Sequence, residues 1–173
     1  MTSSAHAHIC LVGLSGSGKS TLAPVLAARL GLGASVDLDS VIEQRAGQSV
    51  SSIFAELGEE VFRRYEAEAL AEALGGPASV IATGGGVVVD QANRLLLRKQ
   101  ATVVWLRTEV SDLVGRLGDS EGSRPLLNGD VKLALDRMAG ERDPLYAEVA
   151  DRVVDVAGLD PLSLAEVVWM ALT

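Results

Sequence analysis

The chain has 173 residues, a length that suits one domain with a single substantial core. Hydrophobic residues make up 48% and charged residues 22%, which excludes intrinsic disorder, and aromatics at 3% exclude a base-stacking platform for single-stranded nucleic acid. A formal net charge of −8 has the wrong sign for a general binder of DNA, RNA or anionic membranes.

Met1 to His8 reads as a tail holding His6 and His8, and the uncharged first 18 residues lack the basic region of a signal peptide, with an apolar part, Ile9 to Val12, too short for one. HICLVG (8–13) follows as a short apolar strand, and its Cys10, the one cysteine, reads as a small core residue. A Gly/Ser loop leads into a helical pattern from Lys19 to Leu30, and ASVDLD (34–39) is a second strand reaching two aspartates. One long helical stretch is predicted from about Val50 to Leu74, with Ile53, Leu57, Val61 and Leu70 on one stripe. SVIAT (79–83), closed by three glycines, and TVVWL (102–106) are further strands. Residues 109–117 and 130–150 read as helical, RVVDV (152–156) as a fifth strand and 161–172 as a closing helix. Apolar strands separated by helices predict an α/β protein whose parallel sheet is covered on both faces. The uncharged run 73–89 is broken by Gly75, Gly76, Pro77 and Gly84 to Gly86, so no membrane span is expected, and a cytoplasmic monomer is the default.

Residues 13–20, GLSGSGKS, match the phosphate-binding pattern G-x-x-x-x-G-K-[ST]. Its glycines let successive backbone N–H groups turn toward phosphate oxygens, and the following helix adds the positive end of its dipole. Lys19 would reach the β- and γ-phosphates of ATP, and the Ser20 hydroxyl would ligate Mg²⁺. No Asp follows the third or fourth strand, so the acidic partner is sought in Asp37-Leu38-Asp39. If that segment is extended, both carboxylates face one cleft, with Asp37 near the metal and Asp39 near an acceptor hydroxyl. The bland alternative is that Asp39 only caps the next helix, and Asp155 is a weaker alternative metal partner.

Glu59/Arg63 and Glu60/Arg64 stand at i,i+4, and taken alone they read as solvated surface pairs. Gly84-Gly85-Gly86, ending a parallel strand, would let a ligand lie on the backbone. Arg116, Arg124 and the Gly-rich stretch 118–129 look like a mobile lid that brings guanidinium groups to phosphate.

In this order GLSGSGKS (13–20), DLD (37–39), IEQRAG (42–47), IFAELGEEVFRRYE (53–66), GGG (84–86), RPLL (124–127) and ERDPLYAEVAD (141–151) resemble shikimate kinase. The resemblance implies a single P-loop domain over 1–173 (core 8–172) with a nucleoside-monophosphate-kinase-like five-stranded parallel sheet. It also implies an acceptor-binding helical segment about 39–75 and a lid about 118–129. The implied reaction is transfer of the ATP γ-phosphoryl group to the 3-hydroxyl of shikimate. Gly16, Ser17, Gly18, Lys19, Ser20 and Thr21 would hold the nucleotide, with Arg116 over the adenine and Arg124 closing on the reacting phosphates. Ser20 and Asp37 would help hold Mg²⁺. Asp39 would contact the shikimate hydroxyls and Arg63 and Arg142 its carboxylate, while Glu66 would orient the substrate-binding arginine and Gly84, Gly85 and Gly86 would supply backbone contacts. Ala23-Pro24 stands where the family often has Gly-Arg or Gly-Lys. Rival readings are a gluconate-kinase-like enzyme and a non-catalytic nucleotide-binding homologue.

Overall fold

In the computed structural model, which describes residues 8–117 and 131–173, five strands form one parallel sheet. They are β1 (His8–Val12), β2 (Ser35–Asp37), β3 (Val80–Ala82), β4 (Ala101–Arg107) and β5 (Arg152–Asp155), in the order β2-β3-β1-β4-β5. The eight helices among the described residues are α1 (Lys19–Arg29), α2 (Leu38–Ala46), α3 (Val50–Leu57), α4 (Glu59–Gly75), α5 (Gln91–Gln100), α6 (Val110–Leu117), α7 (Val131–Val149) and α8 (Pro161–Leu172).

Alternation along the central strands sorts the core into two layers. Ile9 and Leu11 of β1, with Val104 and Leu106 of β4, pack against Leu22 and Leu26 of α1 and Leu164 and Val168 of α8. Cys10 and Val12, with Val103 and Trp105, pack on the opposite face against Ile42, Leu70, Leu97, Leu135 and Tyr146. Cys10 is fully buried, and burial pushes its thiol well above the usual range, as the core reading requires. The outer strands depart from the fully apolar pattern: Ser35 of β2 and three of the four β5 residues are exposed, because an edge strand has a neighbour on one side only.

Because the sheet is parallel, every strand ends at the same edge. The register sets Val12 opposite Trp105 and Leu11 opposite Ala82, with Asp37 also opposite Ala82. Gly13, Leu38 and Thr83 therefore leave that edge side by side. The chain goes from β1 past β3 to β2, then crosses back and over β1 to β4, so β1 is the point where the strand order reverses. Ligands of such sheets bind in the crevice there.

Four details differ from the sequence expectation. His8 is the first residue of β1, buried, with its Nδ1 3.3 Å from Ser79 Oγ, not part of a tail. The long helix over 50–74 is two helices, because Gly58 takes φ 83° and ψ 167°, which ends α3 and starts α4. The helix α5 was not anticipated at all; Asp90 caps it by accepting from Ala92 N at 2.7 Å. And β2 stops at Asp37, so Asp39 already lies in the first turn of α2. The expected lid over 118–129, with Arg124, lies outside the described residues. Pro24 sits inside α1 on an exposed position, where the helix accommodates it. No helix among the described residues is long and apolar enough to cross a membrane.

Candidate active site

The loop between β1 and α1 curls as its glycines predict. Gly13, Gly16 and Gly18 have φ of 145°, 86° and 95°. At Gly13 an added Cβ would also stand 2.6 Å from Leu106 O, so this position excludes any side chain on two counts. Lys19 is buried and its Nζ donates to Gly13 O at 2.7 Å, to Leu14 O at 2.9 Å and to Ser17 Oγ at 3.3 Å. Helix α1 begins after Gly18 with no side-chain cap, which leaves its first N–H groups to an anion.

Beside this loop lies a cavity of about 390 Å³. Gly16, Gly18, Lys19, Ser20 and Thr21 line it, together with Asp39, Arg63, Glu66, Gly84, Gly85, Gly86 and Arg142. These residues come from the phosphate loop, α2, α4, the loop after β3 and α7, so the fold gathers most of the candidates into one space. Ser17 is fully buried with its hydroxyl on Lys19, so it supports the loop from inside. Arg116 of α6 reaches the same loop from outside, with Nη1 donating to Gly16 O at 3.3 Å.

Asp37 and Asp39 do not share the cavity wall. The strand-to-helix transition between them breaks the two-residue alternation on which the common-cleft argument depended. Asp39 lines the cavity, whereas Asp37 Oδ1 accepts from Ser40 N at 3.1 Å and caps α2. The cap is thus Asp37, not Asp39. Asp155 is committed elsewhere: Arg107 Nε and Nη2 donate to its two oxygens at 2.6 and 2.9 Å at the far edge of the sheet.

Arg63 is not a solvated surface cation. Its side chain is 17% exposed, its Nη1 donates to Glu66 Oε2 at 2.7 Å, and Nη2 donates to Glu59 Oε1 at 3.1 Å. The glycines after β3 explain how it gets there. A Cβ on Gly86 would overlap the Arg63 guanidinium, and one on Gly84 would stand 2.5 Å from Glu66 Oε1 and 3.3 Å from Asp39 Oδ1. The three glycines line the cavity as expected, but what presses on the outer two is the protein's own ion pair.

Glu66 is 1% exposed, and its Oε1 makes no hydrogen bond among the described residues. Burial pushes its carboxyl above the usual range; Arg63 and Arg142 pull it down and Asp39 pushes it up, and burial prevails. A folded pKa above the unfolded one means that the folded state holds the proton more tightly. This contribution to stability is therefore greatest at low pH and is lost as pH rises from the ordinary glutamate range through the raised folded value. Glu66→Gln removes that titration, and the expected result is a flatter dependence of unfolding free energy on pH from about 4.5 upward. Denaturant melts at closely spaced pH values check it; parallel curves for parent and variant would contradict the raised value.

Sequence reasoning passed over the apolar part of the wall. Phe54 and Phe62, the only two phenylalanines in the chain, line the cavity with Val50 and Met138, and their rings lie 4.7 Å apart. Their scarcity in a chain with 3% aromatics was the available signal. Glu43, also in the wall, accepts from Val50 N at 2.8 Å and ties α2 to the start of α3.

Comparison with known proteins agrees with this geometry. The family model described as shikimate kinase matches residues 15–172. A shikimate kinase of Gloeobacter violaceus is 48% identical over 152 residues, covering 87% of this chain and 84% of its own. The solved structure of a shikimate kinase from Acinetobacter baumannii in complex with shikimate superposes with a TM-score of 0.91 at 34% identity, covering 96% of this chain and 92% of its own. A gluconokinase from Sinorhizobium meliloti superposes at 0.56 with 19% identity over 95% of this chain and 89% of its own, which is a likeness of fold alone.

Proposed function

The chain belongs to the shikimate kinase family, and from that premise we propose that its cavity holds ATP and shikimate together and moves the γ-phosphoryl group to the shikimate 3-hydroxyl. The observation that carries this reading is the composition of this cavity. A lysine at a helix terminus shares its wall with two arginines and an aspartate. An anionic, polyhydroxylated ring needs such a pairing, with guanidinium groups for its carboxylate and an acid for its hydroxyls.

In this reading Lys19 exchanges its hold on the Gly13 and Leu14 carbonyls for the phosphate oxygens, and the first N–H groups of α1 face the same charge. Arg63 and Arg142 bind the carboxylate. Asp39 accepts a hydrogen bond from the acceptor hydroxyl and takes its proton as the new P–O bond forms and the bond from the γ-phosphorus to the bridging oxygen breaks, that oxygen leaving with ADP. Glu66, pressed against Gly84, holds Arg63 in place through the 2.7 Å bond. Arg116, whose Nη1 donates to Gly16 O, covers the base of the nucleotide in this reading.

Among the described residues no cluster of three or more His, Cys, Asp or Glu could hold a metal unaided. The donors present fit Mg²⁺, which keeps several waters and binds through one or two protein oxygens together with substrate phosphates. Ser20 would supply a hydroxyl from the cavity wall and Asp37 a carboxylate oxygen not used in its cap. When bound, the ion neutralises charge on the transferring group.

ADP release from Mg·ATP, measured with shikimate, with gluconate and with no acceptor, tests the whole reading. Release that requires shikimate supports it, and release driven by gluconate overturns the acceptor. A narrower prediction concerns Gly86→Ala. The new methyl group displaces the Arg63 guanidinium, so the shikimate KM should rise about 10- to 100-fold, the loss of one charged hydrogen bond, with the ATP KM within about twofold. Equal changes in both constants would mean that the loop, not Arg63, had been disturbed.

A further inference from the structure

Tyr146 is a fully buried side chain on α7 that meets the loop after β3. Its ring packs on Trp105 of β4 with centroids 5.7 Å apart, and its hydroxyl donates to Gly85 O at 2.5 Å. Arg142 lies one turn earlier on α7, and its guanidinium stands beside the same phenolic oxygen. Arg142 is buried, and its Nε makes no hydrogen bond among the described residues. Gly85 in turn lies flat on the phosphate loop: a Cβ there would stand 3.2 Å from Ser15 N and 3.5 Å from Gly13 O. Packing alone does not call for the hydroxyl, since phenylalanine would fill the same space; the hydroxyl is there to make a bond.

We propose that Tyr146 is a positioning residue for acceptor binding, bolting α7 and its Arg142 to Gly85 and, through Gly85, to the phosphate loop. The inference rests on reading Arg142 as a holder of the shikimate carboxylate. Without the hydroxyl, α7 keeps its packing on Trp105 but loses its link to the loop after β3. Arg142 is then free to sample rotamers that miss the carboxylate, while the phosphate loop keeps its own hydrogen bonds.

The test is Tyr146→Phe, alone and combined with Arg142→Ala. The expected result is a shikimate KM raised about tenfold, the loss of one hydrogen bond, with the ATP KM within about twofold. The double variant should match Arg142→Ala alone within about twofold, because the hydroxyl acts through the arginine. p-Aminophenylalanine at 146, which keeps a donor in the same place, should restore the parent KM. An unchanged shikimate KM in Tyr146→Phe, equal rises in both KM values, a fully additive double variant, or no rescue by the amino group would each overturn the proposal while leaving the site reading intact. An unchanged shikimate KM in Arg142→Ala would sink the site reading and this inference with it.

Discussion

Asp39→Asn is expected to lower kcat by roughly 10²- to 10⁴-fold, the range over which a positioned base contributes, while ATP affinity stays within about twofold. Asparagine keeps the size and a hydrogen-bond acceptor, so helix α2 and the neighbouring Gly84 are not disturbed. It cannot take a proton at the operating pH, and it removes one of the negative charges that the site balances against Arg63 and Arg142. The Asp37 cap of α2 remains, because Ser40 N is bonded to Asp37 and not to Asp39. A loss of turnover thus reports chemistry and not an unravelled helix. ATP affinity is insulated because the phosphates are held by Lys19 and the α1 terminus, which the substitution leaves unchanged. Steady-state kinetics with saturating shikimate, paired with titration of nucleotide binding, decide the matter. A variant that turns over at near the parent rate would remove Asp39 from proton transfer and leave it as a binding group at most.

How much of this was legible in the sequence depends on whether the information was local. The phosphate loop could be read in full, since its glycines, lysine and serine act within eight consecutive residues between a strand and a helix. Central strands were legible from their apolar runs. The break at Gly58 was not, because a lone glycine inside a helical pattern is usually tolerated; Glu59 and Glu60 after it, acids at a new helix start, were the missed signal. Asp39 was selected for a reason that failed. An i, i+2 argument assumes an extended chain, and the chain turns into α2 one residue too soon. The three glycines signalled a close approach, but which group approaches is decided by α4 packing across the sheet edge. Nothing near residue 84 indicates that Glu66 and Arg63 occupy that space. The aromatic wall was invisible for a related reason: an apolar side chain reads as core until the fold shows which core residues border the cavity, and nothing local to Tyr146 shows that its hydroxyl meets Gly85.

Arg63→Ala and Arg142→Ala should each raise the shikimate KM by about 10²-fold with the ATP KM little changed, because each removes a charged hydrogen bond worth about 1.5–3 kcal/mol from a desolvated carboxylate. Beyond that shared effect the two should part company. Arg63 is the nearest cation to Glu66, at 2.7 Å, and Glu66 is buried; removing Arg63 leaves that carboxyl with Asp39 pushing its pKa up and only Arg142 opposing. The carboxyl must then be buried charged and poorly paired, or take up a proton, and either route costs stability. Breaking a wholly buried pair costs about 3–5 kcal/mol, and because Arg63 is partly exposed the expected loss is nearer 2 kcal/mol. That loss should shrink as pH falls, since protonated Glu66 needs no partner. Arg142→Ala leaves the Arg63–Glu66 pair and the bond from Tyr146 to Gly85 in place, so its cost in stability is expected to be smaller. Substrate kinetics and denaturant melts at pH 5 and 7.5 on both variants separate the roles. Unchanged shikimate KM in both would remove these arginines from acceptor binding and leave them as largely buried structural charges, and equal melts would show that Glu66 draws no special support from Arg63. The proposed arrangement predicts neither result, because in it one guanidinium both holds the acceptor anion and neutralises the buried acid.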